Sequence, residues 1–256
     1  MTETIVMIHG MWGTPRIWEN YRGFFEQRGY RCVIPALRFH DADPASSPDP
    51  ELGRTGLLDY ASDLEREIMS LDSKPIIMGH SMGGLLAQIL GSRGLAKALV
   101  LLTPAAPEGI FSIRLSVLRT FFRVMSKWGF WNKPMKLSFG AARYSLLALM
   151  GPEQRREIYA DMVYESGRAA AEIGFWFFDK HHAARVDASK ITCPVLVVAG
   201  SRDRITPATV SRKIAQRYPG YSTYKEYPDH AHWVIGEPGW NLIAEDIERW
   251  LQTATP

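Results

Sequence analysis

The stretch Ile76-Ile77-Met78-Gly79-His80-Ser81-Met82-Gly83-Gly84 constrains the fold of this chain more than any other. An apolar run enters a tight Gly-x-Ser-x-Gly turn, and small residues then open a helix, which is the form of a nucleophile elbow. A serine on such a bend stands clear of the sheet. A Cβ at Gly79 or Gly83 would crowd the helix against the strand, and Gly84 adds room for close packing. The backbone N–H of Met82 points into the same space from the helix N-terminus, where donors lack partners and the dipole favours an anion. The plain alternative is a glycine-rich turn with a capping serine. A base, an orienting acid and a second oxyanion donor elsewhere in the chain decide between the two.

The elbow demands a strand before it and a helix after it, and the rest of the chain repeats that alternation. Residues 4–8, 31–34, 98–102, 194–200 and 221–227 read with the elbow strand as six short strands. Thr14 is placed to cap a helix that Pro15 opens and Gly29 stops. Leu57, Ala61, Leu64, Ile68 and Leu71 mark one face of a second helix, and Gly91 and Gly94 bracket the end of the elbow helix. Residues 209–217 read as another. Trp240, Ile243, Ala244, Ile247, Trp250 and Leu251 mark the last. Strands alternating with helices predict an α/β protein, a mostly parallel sheet of about six strands covered on both sides. The loop at 36–54 is rich in Pro, Asp and Ser.

The alternation breaks between about 105 and 189, which predicts a helical cap inserted into a core made of 1–104 and 190–256. From Gly109 to Pro152 there is no Asp or Glu, but Arg114, Arg119, Arg123, Lys127, Lys133, Lys136 and Arg143 are interleaved with Phe121, Phe122, Trp128, Phe130 and Trp131. Leu118, Phe121, Phe122 and Met125 fit one helical face, and Ile158 and Met162 another. The reading adopted is an apolar lid over a pocket. Its basic side would attract anionic substrates, with contact to a membrane surface as a secondary reading. A helical subdomain with a solvated basic face is the plain alternative.

Composition narrows the class. With 256 residues, 46% hydrophobic and 22% charged, the chain can bury a sizeable core. A formal charge of +3 is too small to argue for nucleic acid. Cys32 and Cys193 sit beside apolar stretches and read as buried thiols. Neither a signal peptide nor a membrane-length apolar run is legible, so a soluble cytoplasmic protein is expected.

Four motifs in order carry a resemblance. His9-Gly10-Met11-Trp12-Gly13 follows the first strand and Gly79-His80-Ser81-Met82-Gly83-Gly84 the third. Gly200-Ser201-Arg202-Asp203-Arg204-Ile205-Thr206-Pro207 follows the fifth and His232-Trp233 the sixth. Together they resemble the α/β-hydrolase fold superfamily, in particular small esterase- and lipase-like members beginning at the third strand of the fold. The resemblance implies a serine hydrolase with Ser81 as nucleophile, His232 as base and Asp203 as the acid that orients it, in the chain order of this fold. It implies backbone oxyanion donors at Met11 and Met82, with Trp12 and Trp233 lining the pocket. The resemblance prefers His232 to His230, because the family histidine usually precedes an aromatic or apolar residue with a Glu five positions on, as with Trp233 and Glu237 here. Asp203 is preferred to Asp187 and Asp229, which read as loop carboxylates. His9 and His80 read as braces of their turns.

A small-molecule carboxylic ester with lipophilic groups is the expected substrate, cleaved through an acyl-enzyme. Carbon–carbon bond hydrolysis, perhydrolase chemistry, acyl transfer and cyanohydrin cleavage use the same triad and stay open. So do a silent ligand-binding homologue and an interaction protein using the basic cap. No cofactor is expected. His181-His182 and His230-x-His232 lack a completing Cys or carboxylate, so no metal is expected either. No phosphate-binding glycine loop is present.

Overall fold

In the computed structural model, which describes residues 2–112 and 114–254, the apolar runs become a parallel sheet. Its strands are β1 (Thr4–Ile8), β2 (Arg31–Val33), β3 (Ile76–His80) and β4 (Ala98–Leu102). A short ribbon of β5 (Pro134–Met135) and β6 (Glu165–Ser166) intervenes before β7 (Val195–Gly200) and β8 (Ser222–Tyr227) complete the sheet. The order is β2-β1-β3-β4-β7-β8, and every neighbouring pair is parallel. β3, β4 and β7 are buried along their whole length, as unbroken apolar runs require when both faces of a sheet are covered.

The helices are α1 (Glu19–Glu26), α2 (Leu57–Met69), α3 (Met82–Ser92), α4 (Leu115–Met125), α5 (Phe139–Tyr144), α6 (Pro152–Asp161), α7 (Gly167–Gly174), α8 (Ala208–Ala215) and α9 (Trp240–Ala254). Side chains alternate faces along each strand. Val6, Ile8, Ile77, Leu99, Leu101 and Val197 pack with α2, α3 and α8. Ile5, Met7, Met78, Val100, Leu102 and Val198 pack with α1 and α9. Between β4 and β7 the chain leaves the sheet to form α4 to α7 and the β5–β6 ribbon, which is antiparallel, with Pro134 opposite Ser166.

Three local expectations change. Pro15 opens a 3₁₀ turn (Pro15–Trp18) rather than an α-helix. Thr14 is extended but makes no side-chain cap, its Oγ1 buried without a partner. Ile17 N–H instead takes the Thr14 carbonyl at 3.2 Å, the tighter spacing of a 3₁₀ turn. In α4 the cavity-lining residues are Val117, Leu118, Phe121, Val124 and Met125, while Phe122 is 67% exposed. The inner stripe thus follows steps of three and four that pass over 122. Finally, the two cysteines are free and half-buried rather than fully enclosed, with burial pushing the Cys32 thiol up to about 12. Among the described residues, no helix is long and apolar enough to cross a membrane.

Candidate active site

Ser81 sits where β3 turns into α3, with φ 57° and ψ −119°, a left-handed backbone that only an enforced turn holds on a non-glycine residue. The glycines around it explain how. A Cβ on Gly79 would lie 2.1 Å from the Gly83 carbonyl oxygen, and one on Gly83 would lie 2.1 Å from that of Ile8. One on Gly84 would strike Pro104 at 2.8 Å. Their absence lets α3 lie directly on β1 and β3. Ser81 N–H donates to Leu102 O at 3.0 Å, and Ser81 O accepts from Gly84 N–H at 2.9 Å and Ala105 N–H at 2.8 Å. The bend is therefore pinned from both sides.

Asp203 and His232 meet from different loops, past the ends of β7 and β8. His232 Nδ1 donates to Asp203 Oδ2 at 2.8 Å, with both side chains fully buried. The other oxygen of Asp203 accepts from Ile205 N–H at 2.7 Å and Thr206 N–H at 2.9 Å. The Thr206 hydroxyl stands 2.8 Å from Asp203 Oδ2 and 2.9 Å from the Thr103 carbonyl. The carboxylate is thus held by backbone and hydroxyl donors as well as by the imidazole. His232 Nε2 is buried and has no hydrogen-bond partner among the described residues, Ser81 included. Catalytic hydrogen bonds are often loose in an unliganded protein and tighten on binding.

The loop carrying His232 is fixed by the buried carboxylate of Glu237, which accepts from Ala231 N–H at 2.7 Å and Trp233 N–H at 3.0 Å. The His232 carbonyl accepts from His80 Nε2 at 2.8 Å and from the Thr103 hydroxyl at 3.1 Å. Burial, with the neighbouring His232, pushes His80 down to about 3, so it is neutral and braces the turn. His9 is likewise pushed down to about 3, first by burial and then by His40. Its Nδ1 donates to Gly10 O at 2.9 Å and its Nε2 accepts from Leu37 N–H at 3.1 Å.

Met11 follows that histidine turn. A Cβ on Gly10 would come within 2.8 Å of Ser81 Cβ, so the loop lies against the serine. No described residue accepts from the backbone N–H of Met11 or Met82. Met11, Ser81 and Met82 line one cavity of about 240 Å³, whose other walls include Phe121, Val124, Met125, Phe130, Ile173 and Phe175. Such an arrangement offers a hydroxyl, two free backbone donors and an apolar chamber to one ligand.

Trp12 and Trp233 do not line this cavity, a correction to the sequence reading. Both face a separate cleft of about 380 Å³, lined also by Arg16, Glu157 and Asp161. Trp12 has φ 62°, and its buried indole packs behind the cavity wall residue Phe121, with centroids 5.9 Å apart. Trp233 is held by Glu237 with its ring edge-on to His80 at 5.6 Å. His230 turns away, with Nδ1 3.4 Å from Glu237. Asp187 bonds Ser189 and Asp229 pairs with Arg202 at the surface, so neither reaches His232. Thr206 was not singled out from the sequence. A Thr three residues after an Asp is a recognisable turn signal, but the Thr103 carbonyl and the His232 ring that its hydroxyl also meets lie in other parts of the chain. Among the described residues, no three His, Cys, Asp or Glu side chains cluster as a metal site.

A parallel sheet with a Gly-x-Ser-x-Gly turn at its centre and an Asp–His pair past the next strand ends defines an α/β-hydrolase architecture. The chain belongs to the alpha/beta hydrolase family, which it matches over residues 5–240. It is similar to a monoacylglycerol lipase of Mycolicibacterium smegmatis (strain ATCC 700084 / mc(2)155), 29% identical over 184 residues that cover 69% of this chain and 61% of that protein. The chain thus matches under two-thirds of that relative's length. In fold it is similar to a monoacylglycerol lipase from Paleococcus ferrophilus (TM-score 0.71, 20% identity, 99% of this chain and 96% of the other). A thermophilic esterase from Thermogutta terrifontis is also similar (TM-score 0.69, 22% identity, 100% of this chain and 92% of the other).

Proposed function

We propose that this chain is a serine hydrolase that cleaves carboxylic esters with lipophilic acyl or alkyl groups. Ser81 Oγ attacks the carbonyl carbon while His232 Nε2 takes its proton, and Asp203 holds the ring and stabilises the imidazolium. The N–H groups of Met11 and Met82 receive the developing oxyanion. The alcohol leaves with the proton from His232. Water, deprotonated by the same nitrogen, then cleaves the acyl-Ser81 ester and restores the serine. Residues 105–189 act as the cap that supplies the apolar walls.

The observation that carries this reading is one meeting point. A serine on a left-handed turn opens into an apolar cavity beside two free backbone donors, and Thr206 joins that cavity to the buried Asp203–His232 pair. The kinship to a lipase and the likeness to esterases agree with it.

The test is turnover of a p-nitrophenyl ester series, from acetate to long acyl chains, by wild type and Ser81→Ala. Chain-length-dependent turnover that falls on the order of 10⁶-fold in the variant is the expected result. Failure of Ser81 to react with a fluorophosphonate probe, together with no turnover of any ester, overturns it.

A further inference from the structure

We propose that the outer face of α4 and the aromatic rim beside it form a docking surface for an anionic phospholipid surface, with the mouth of the Ser81 cavity turned towards it.

A helix on the outside of a globular protein needs one apolar stripe. α4 carries two. Its inner stripe, Val117, Phe121, Val124 and Met125, walls the cavity. Its outer stripe is Leu115, Leu118 and Phe122, at steps of three and four, and these side chains are 86%, 46% and 67% exposed. The chain just past α4 adds Trp128 at 86% exposure and Trp131 at 39%. Tertiary burial accounts for the inner stripe; Leu118 lies at the edge of the cavity, and Leu115 and Phe122 are left largely uncovered among the described residues.

The rim is continuous. Trp128 meets Trp131 at 5.4 Å, Trp131 meets Phe130 at 5.5 Å, and Phe130 meets Phe175 at 6.1 Å. Phe175 leads to Phe177 at 6.3 Å, and Phe177 to the exposed Phe178 at 4.5 Å and to Phe111 at 6.3 Å. Phe111, Leu118 and Phe177 are at once exposed and part of the cavity wall. The exposed patch and the chamber holding Ser81 are therefore one apolar surface. Contiguous exposed patches of this kind mark interaction sites.

Charge names the occupant. Arg114, Arg119, Arg123 and Lys127 flank the outer stripe and are exposed. None of the seven cations between Gly109 and Pro152 forms an ion pair with a carboxylate among the described residues. Arg119 stacks instead on the Tyr144 ring at 4.1 Å, and Lys133 caps the Trp128 carbonyl at 2.9 Å. Elsewhere on the surface, cations such as Arg38, Arg93 and Arg212 are paired. A face that joins unpaired cations to Trp, Phe and Leu suits the boundary between anionic headgroups and acyl chains. There the cations meet phosphate and the rings sit at headgroup depth. A lipophilic molecule dissolved in that layer would reach the cavity mouth without crossing water.

The surface does not depend on the chemistry assigned to Ser81, and the test separates the two. Binding of the full chain to sedimenting vesicles is measured, with pure phosphatidylcholine against vesicles containing about 30 mol% phosphatidylglycerol. Three proteins are compared with wild type: Ser81→Ala, Phe122→Ser with Trp128→Ser, and Arg123→Glu with Lys127→Glu. All changed side chains outside Ser81 are exposed and none lines the cavity, so circular dichroism and melting temperature should match wild type. Wild type and Ser81→Ala are expected to bind anionic vesicles at least tenfold more tightly than neutral ones, since each cation contributes roughly fivefold. Raising salt from about 0.1 to 0.5 M should weaken binding, and each double variant should lose tenfold or more. Equal binding to neutral and anionic vesicles, no binding, or unchanged binding in both double variants overturns the proposal. Self-association abolished by the same variants, in place of vesicle binding, would assign the face to a second copy and overturn it too.

Discussion

His40 Nε2 lies 3.2 Å from Glu165 Oε2, with neither side chain exposed to solvent, and the contact joins the loop after β2 to the β5–β6 ribbon. His40 Nδ1 also donates to the Arg38 carbonyl at 3.0 Å. An imidazole with an acceptor at each nitrogen is a doubly protonated cation. Glu165 is completed by the Tyr60 hydroxyl at 2.8 Å and its neighbour's N–H at 2.6 Å. The His40 ring stands 5.1 Å from that of His9, whose proton holds the Gly10 carbonyl just before Met11. The ribbon is therefore tied to the floor of the site through one buried ion pair.

Glu165→Gln tests that tie. Burial opposes charge on His40, but the charge and hydrogen bond of Glu165, with the Arg38 carbonyl, outweigh it and raise the pKa above the ordinary 6.5. A raised folded-state pKa contributes stability that is fully present below the unfolded value and is lost as pH rises through the folded one. Urea unfolding should show the variant about 3 kcal/mol less stable than wild type near pH 6. The gap should narrow as pH rises past the His40 titration. A gap independent of pH would mean that His40 is neutral in the native protein.

Gly83→Ala should be among the most damaging single changes in the chain. Its Cβ would meet backbone oxygen of Ile8 at 2.1 Å and of His9 at 2.6 Å, neither of which can swing aside. A loss of about 4 kcal/mol or more is expected, on the scale of severe overpacking. Gly140→Ala, where a Cβ meets nothing within 4 Å, is the control and should melt close to wild type.

Thr206→Val removes the hydroxyl between Asp203, Thr103 and His232 while keeping the shape of the side chain. Asp203 keeps its two backbone donors, so the fold should survive, with a loss of about 1 kcal/mol. If the residue positions the pair, kcat on a short p-nitrophenyl ester should fall roughly tenfold with KM nearly unchanged. Thr206→Ser should restore most of it.

Ala170→Phe adds a ring to the cavity wall supplied by α7. On the proposed ester chemistry, the variant should lose long acyl chains and keep acetate turnover, moving the chain-length optimum downwards by several carbons. A proportional loss on every ester would place the acyl chain outside this cavity.

The sequence alone determined the sheet and the elbow. β1, β3 and β4 fall within the strands expected from their apolar runs, because a strand covered on both faces must be apolar throughout, and local composition records that. The glycines at 79 and 83 announced the close approach of α3, since only glycine fits there. Motif order, together with the resemblance it carried, pointed to Asp203 and His232, and the tertiary structure brings them to 2.8 Å. It also decided what local pattern does not encode. Trp12 and Trp233 line a separate cleft, because which cavity a side chain borders depends on the packing of distant segments. Phe122 lies outside because the apolar face of α4 is wider than the cavity it walls, so periodicity alone does not choose the inner stripe. His40 and Glu165 are 125 positions apart, and no local signal pairs two buried charges across that distance. Periodicity reports which residues are buried within an element. Which distant residues they are buried against is settled only when the elements pack.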